Sequence, residues 1–151
     1  MYGNMVKIKK LYPEAIIPNY SYKGDAGADL YSFEAAELMP GAWHLFATGI
    51  AIAMPVGWVG LVQPRSGLAA QNAVTLLNSP GTIDSGYRGQ IFVNLINLGS
   101  VPVNIAKGDR IAQIVFQRHE QASFLEVDEL DSTERGESGH GSTGGLTSGA
   151  I

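Results

Sequence analysis

From Met5 to Val127 the chain runs in short apolar stretches punctuated by Gly, Pro and Asn, with alternation clearest in Val6-Lys7-Ile8-Lys9 and Val101-Pro102-Val103-Asn104-Ile105. A period of two puts successive side chains on opposite faces, the pattern of strands with one face buried. Further strands are predicted over Trp43 to Thr48, Ile50 to Met54, Trp58 to Gln63, Val74 to Leu77, Ile91 to Asn97, Ile111 to Gln117 and Ser123 to Val127. One short helix is predicted over Ser66-Gly67-Leu68-Ala69-Ala70-Gln71, with Pro64 before it and Ser66 as its N-cap. Strands at this spacing, without amphipathic helices between them, predict an all-β sandwich, barrel or jelly roll.

Past Asp128 the composition shifts to Gly, Ser and Thr, with almost no large apolar side chain before Leu146. Such a segment cannot offset its ordering entropy by burial alone. The expected organisation is therefore one domain over residues 1–127 and a flexible arm over 128–151. The arm has a second reading. Arg135 opens Arg135-Gly136-Glu137-Ser138-Gly139-His140-Gly141-Ser142-Thr143-Gly144, which sets an arginine, a flat ring and hydroxyls on a glycine backbone. Those are the parts a tail needs to close over a nucleotide.

Composition narrows the partners. A chain of 151 residues, 45% apolar, buries about 68 to 70% of its unfolded surface, which suits a single core. The net charge is −4 and the ten Lys and Arg are scattered apart from Lys9-Lys10, so no basic stripe exists to bind a nucleic-acid backbone. An acidic protein can still hold a small polyanion where local arginines, backbone amides and a metal offset its charge. Cysteine is absent, which excludes disulfides and thiolate metal sites and agrees with a reducing compartment. The longest apolar run, Gly49 to Val62, contains Pro55 and falls short of the roughly 18 residues of a membrane span. Met1-Tyr2-Gly3-Asn4 lacks the plan of a signal peptide. The expectation is a soluble, cytoplasmic protein with no nucleic-acid or membrane partner.

Four segments before the arm have chemistry in them, each with a plainer reading beside it. Pro64-Arg65-Ser66-Gly67 stands where a strand passes into a helix, and a helix N-terminus with a close-approach glycine suits phosphate; alone, it reads as an N-cap beside a solvated arginine. Asp25-Ala26-Gly27-Ala28-Asp29-Leu30 places two carboxylates at even spacing, on one face if the backbone is extended, where they can hold Mg²⁺ directly or through its waters; it also reads as an acidic turn entering a strand. Asn78 to Gly89 reads as a β-hairpin with turn residues at Asp84 to Gly86, whose backbone can pair with the edge of a base; alone, Asp84 caps the turn and Tyr87 covers the sheet. Gln113, a polar side chain among the apolar neighbours of Gly108-Asp109-Arg110-Ile111-Ala112-Gln113-Ile114, needs partners, either core backbone or a catalytic water. No Walker, G-x-G-x-x-G, G-x-S-x-G or H-E-x-x-H sequence is present, and the three histidines are dispersed.

The order and wording of these segments together, from Asp25 to Gly144, strongly resemble the five motifs of the trimeric dUTPases. The resemblance implies a β-jelly-roll subunit, a homotrimer whose active sites lie at subunit interfaces, and Mg²⁺-dependent hydrolysis of dUTP to dUMP and pyrophosphate, which supplies dUMP for thymidylate synthesis and keeps uracil out of DNA. Water would attack the α-phosphorus in line, with Asp84 as its base. The hairpin backbone near Asn78, Thr82, Ile83 and Asp84, with Phe92, would line the uracil and sugar pocket, and Tyr87 would stack under deoxyribose and exclude a 2′-hydroxyl. Arg65, Ser66 and Gly67 would hold the α- and β-phosphates, Gln113 would bind phosphate or the attacking water, and Asp29 would contact the waters around Mg²⁺. Arg135, Ser142 and Thr143 would clamp the γ-phosphate, while His140, followed by Gly141, covers the base. The chain departs from the family pattern at His140, where many relatives carry Phe, and at Ser138, where Gly is frequent; imidazole still stacks, in a manner that its protonation alters. The related dCTP deaminases share the fold but need a proton-handling group at the cytosine amine, and the hairpin offers no obvious one.

Overall fold

In the computed structural model, residues 5–139 are described. The chain divides into two compact units, Met1–Gln121 and Ala122–Ile151. Among the described residues, the first carries every strand and the helix: β1 (Lys7–Lys10), β2 (Gly27–Tyr31), β3 (Ala36–Leu38), β4 (Trp43–Ala53), β5 (Trp58–Gln63), α1 (Ser66–Asn72), β6 (Val74–Leu76), β7 (Gly81–Asp84), β8 (Gln90–Asn97), β9 (Val103–Ile105) and β10 (Arg110–Arg118). They build two four-stranded sheets, ordered β1-β4-β8-β6 and β2-β10-β5-β7, with β3 and β9 as a separate pair. This is the expected all-β jelly roll.

Alternation explains the layering. Along β8, Ile91, Val93, Leu95 and Asn97 are buried while Phe92 faces out. Phe46, Ile50, Ile91, Val93 and Leu95 meet Leu30, Val62, Ile111 and Ile114 in one core cluster, joined by Leu38 and Ile105. Each such side chain stabilises the fold by about 1.5 to 3 kcal/mol through burial. Two fully buried polar side chains are bonded: Thr48 Oγ1 donates to Ile91 O at 2.6 Å, and Asn97 Nδ2 donates to the carbonyls of Leu38 and Val101, both at 2.8 Å.

Several elements differ from expectation. The two strands predicted on either side of Gly49 form one, β4, and its pairing with β8 shifts register between Ala47 and Ala51. Gly49 adopts φ +72° there, a left-handed bulge that glycine enters without strain, and its freed N–H donates to Gln90 Oε1 at 2.9 Å. The short β3 is an additional strand, and the hairpin expected over Asn78 to Gly89 does not form: β7 pairs with β5 while β8 pairs with β4 and β6 in the other sheet, so the segment from Ser85 to Gly89 crosses between sheets and Asp84 ends β7. Ser123 to Val127 does not form the expected strand: the first unit ends at Gln121, and Phe124, 98% exposed, packs on nothing that would fix one face. In the second unit a turn over Thr133 to Ser138 closes through Gly136 N to Thr133 O and Ser138 N to Arg135 O, both 3.1 Å.

Candidate active site

The first half of the site grows from the middle of the sheet that carries β10. This strand runs between β2 and β5, with Gln113 opposite Asp29 on one side and Gln63 on the other. Directly opposed residues share a face, so the three polar side chains stand together. At the end of β5 Pro64 turns the chain into α1, which sets Arg65, Ser66 and Gly67 beside them. The result is a cleft of about 440 Å³ whose lining includes Asp25, Gly27, Asp29, Arg65, Ser66, Gly67 and Gln113. Three of the sequence motifs thus converge.

Its electrostatic centre is Asp29, only 7% exposed. Oδ1 accepts from Arg65 Nε at 2.9 Å and Oδ2 from Arg110 Nη1 at 3.5 Å, the opposite charge that a buried carboxylate requires. Arg65 Nη1 also donates to Arg110 O at 3.3 Å. The N-cap of α1 is Arg65 and not Ser66 as expected: Arg65 has the extended backbone of a cap, φ −92° and ψ 129°, but makes no side-chain capping bond, because a guanidinium has no acceptor for the helix N–H groups. Ser66 becomes the first helical residue and lines the cleft. Asp25 takes the second of its two readings, an acidic turn entering a strand: it precedes β2 and accepts Tyr22 N at 2.8 Å to close the turn. It reaches the same cleft from the turn. Gln113 meets the polar need seen in its sequence: Nε2 donates to Pro64 O at 3.1 Å.

No group of three or more His, Cys, Asp or Glu among the described residues is placed to hold a metal ion. Mg²⁺ prefers oxygen ligands, keeps several of its waters and uses one or two carboxylates together with substrate phosphates. The cleft's two carboxylates, Asp25 and Asp29, fit that role.

The second half is built on β7 and the turn that follows it. β7 lies on the far side of β5, with Val59 opposite Asp84 and Leu61 opposite Thr82. Ile83 packs against the core, while Thr82 and Asp84 are exposed. The following turn is braced by Arg88, whose Nη1 donates to Ser85 O at 2.6 Å and Tyr87 O at 2.7 Å, and by Tyr87 OH, which donates to Gln90 O at 2.9 Å. Tyr87 lies so close over Gly89 that a Cβ there would come within 2.3 Å of its hydroxyl. The predicted residues Asn78, Thr82, Ile83, Asp84, Tyr87 and Phe92 all line one pocket of about 320 Å³.

Leu45, Gln90 and Asn94 complete this pocket, and Arg110 pairs with Asp29; the sequence reading assigned a role to none of them. Leu45 and Asn94 are opposed across β4 and β8, a neighbourhood visible only once those strands are in register. Arg135 lies in the second unit, where its Nε donates to Ser138 O at 2.9 Å. His140, Gly141, Ser142 and Thr143 lie outside the described residues.

An all-β jelly roll with a polar cleft at a strand-to-helix junction and a second pocket beside β7 defines the class. Residues 13–144 match the family described as dUTPase. The chain is 51% identical over 146 residues to the deoxyuridine 5′-triphosphate nucleotidohydrolase of Thermobifida fusca, covering 96% of this chain and 82% of that one. With its counterpart in Corynebacterium glutamicum it shares 52% over 140 residues, covering 92% and 94%. The fold superposes on the Staphylococcus bacteriophage 80alpha dUTPase, solved with dUpNHpp, with a TM-score of 0.87 and 30% identity over 93% of this chain and 98% of that one. A variant dUTPase from phage phi11 of S. aureus, whose structure concerns coordination of a structural Mg(II) ion, superposes with a TM-score of 0.78 and 26% identity over 83% and 98%. The chain belongs to the dUTPase family.

Proposed function

We propose that this protein hydrolyses dUTP to dUMP and pyrophosphate, with Asp84 as the base, and that each active site is completed between copies of the chain in a homotrimer. The observation that carries the reading is the gathering of the motif residues into two clefts with different chemistry, one polar and flanked by arginines, the other lined by a tyrosine, a phenylalanine and β7. The first suits a triphosphate. The second suits a nucleoside.

In the β7 pocket, Asn78 and the backbone of Thr82 to Asp84 read the uracil edge, Phe92 lines the wall, and the ring of Tyr87 lies under the deoxyribose, where a 2′-hydroxyl would collide. The Asp84 carboxylate takes a proton from water as its oxygen attacks the α-phosphorus, the bond to the bridging oxygen breaks, and pyrophosphate leaves. Arg65, Ser66 and the Gly67 amide hold the α- and β-phosphates, and Gln113 holds a phosphate oxygen or the water. Positioning and charge neutralisation supply most of the acceleration in such chemistry. Mg²⁺, held through water by Asp29, would neutralise phosphate charge. The arm over residues 128–151 serves as a lid, with Arg135, Ser142 and Thr143 at the γ-phosphate and His140 with Gly141 over the base.

The strand register supports the shared site. Asp84 is level with Val59 on β5 and Gln113 with Gln63, on opposite flanks of that strand. Four residues along a strand and two strand spacings across set their Cα atoms about 16 Å apart. The two clefts have no lining residue in common. A base and a phosphate ligand so placed converge more readily on one α-phosphorus across two chains than within one.

The test is pyrophosphate release measured across dUTP, dTTP, dCTP and UTP. Turnover of dUTP alone is expected; ammonia released from dCTP would replace the reading with a deaminase.

A further inference from the structure

Gly27 opens β2 with ordinary extended backbone, and is not among the glycines with positive φ. No conformational demand therefore explains a glycine at a strand position where side chains normally help. What explains it is space. A Cβ built on Gly27 would lie 2.2 Å from Gln113 Oε1, 2.9 Å from its Cδ and 3.3 Å from its Cβ. Its three nearest neighbours thus all belong to one side chain, and none is backbone. The volume that a methyl group would fill at Gly27 is occupied by the Gln113 carboxamide.

The other end of that amide is also fixed, by the bond from Nε2 to Pro64 O. Pro64 links β5 to the segment carrying Arg65 and Ser66, while Gly27 belongs to the strand on the opposite flank of β10. The carboxamide therefore spans the sheet surface from β2 to the end of β5, across the cleft that both line. One oxygen seated against a bare Cα and one nitrogen tied to a carbonyl leave the amide plane a single orientation.

We propose that Gly27 is a positioning residue for Gln113: its missing side chain is the slot that holds the carboxamide across the phosphate cleft. This rests on the reading of Gln113 as a ligand of phosphate or water. Alanine at position 27 fits the strand backbone, and the atom that it strikes first is the far end of a flexible side chain. The fold survives, and the amide is pushed off Pro64 O. Displacing a positioning group by about 1 Å can cost on the order of 10²-fold in rate.

The experiment is a double-mutant cycle on the full-length protein with Gly27→Ala, Gln113→Ala and the double variant, read by kcat/KM for dUTP. The expected result is a loss of roughly 10- to 100-fold in Gly27→Ala, a similar loss in Gln113→Ala, and a double variant no worse than the poorer single one, with the melting temperature little changed. Losses that multiply in the double variant would overturn the proposal, as would a Gly27→Ala enzyme of normal activity. A second readout is independent of catalysis: the Gln113 side-chain amide resonances should move in Gly27→Ala, and unmoved resonances would also overturn it. Normal turnover by Gln113→Ala would instead remove Gln113 from the proposed mechanism, leaving those resonances to decide whether Gly27 seats the amide. If Gly27→Ala alone fails to fold, the double variant should fold, because the clashing atoms beyond Gln113 Cβ are gone. A double variant that also fails to fold would place the fault in the backbone and sink the proposal.

Discussion

At the residue scale, chemistry here depends on side chains whose surroundings do the selecting. Asp84 is an exposed carboxylate at the end of β7, without the arginine partners that flank Asp29. Its carboxylate is exposed, whereas that of Asp29 is bonded to two guanidinium groups. Asp84→Asn keeps size and hydrogen bonding but removes the basic oxygen. The expected outcome is near-normal dUTP affinity by calorimetry and a kcat lowered by roughly 10²-fold or more; a variant that turns over dUTP at the native rate would dismiss Asp84 as the base. Asp84 and Tyr87 were legible in the sequence only because other segments stood in a matching order, since each alone reads as turn and sheet cover. The function of Gly27 was illegible, because it depends on a contact with Gln113, far along the chain, that only the β2-β10 register creates.

At the element scale, alternation located most strands, and its failures have causes. β4 was divided at Gly49 because a glycine within an apolar run signals a break, whereas the sheet absorbs it as a bulge. β3, three residues long, gives too few positions to establish a period. Ser123 to Val127 has the composition of a strand, but strands are made by partners, and this one lies past the end of the first compact unit. That boundary bears on the arm. Among the described residues, the core cluster belongs wholly to Met1–Gln121, so deletion after Glu134 should leave the melting temperature and sedimentation of the protein close to native while kcat/KM for dUTP collapses. Dissociation on sedimentation would mean that the arm builds the assembly and is not a lid.

At the scale of the whole molecule, the separation of the two clefts on one chain makes a quantitative prediction about mixed oligomers. Suppose each site takes Asp84 from one chain and Gln113 from its neighbour in a cyclic trimer. Asp84→Asn and Gln113→Ala homotrimers are then both crippled, since every site lacks one group. When the two variants are unfolded together and refolded, any trimer holding both kinds of chain has one boundary where a native Asp84 meets a native Gln113. Random assembly from equal amounts makes about three quarters of the trimers mixed, with one intact site in three, so activity should recover to about a quarter of the native level. If both groups of a site came from the same chain, no arrangement of the two variants could restore one, and the refolded mixture would stay as inactive as its parents. The recovered fraction therefore reports directly whether the register that spreads Asp84 and Gln113 along β5 is resolved by a second chain.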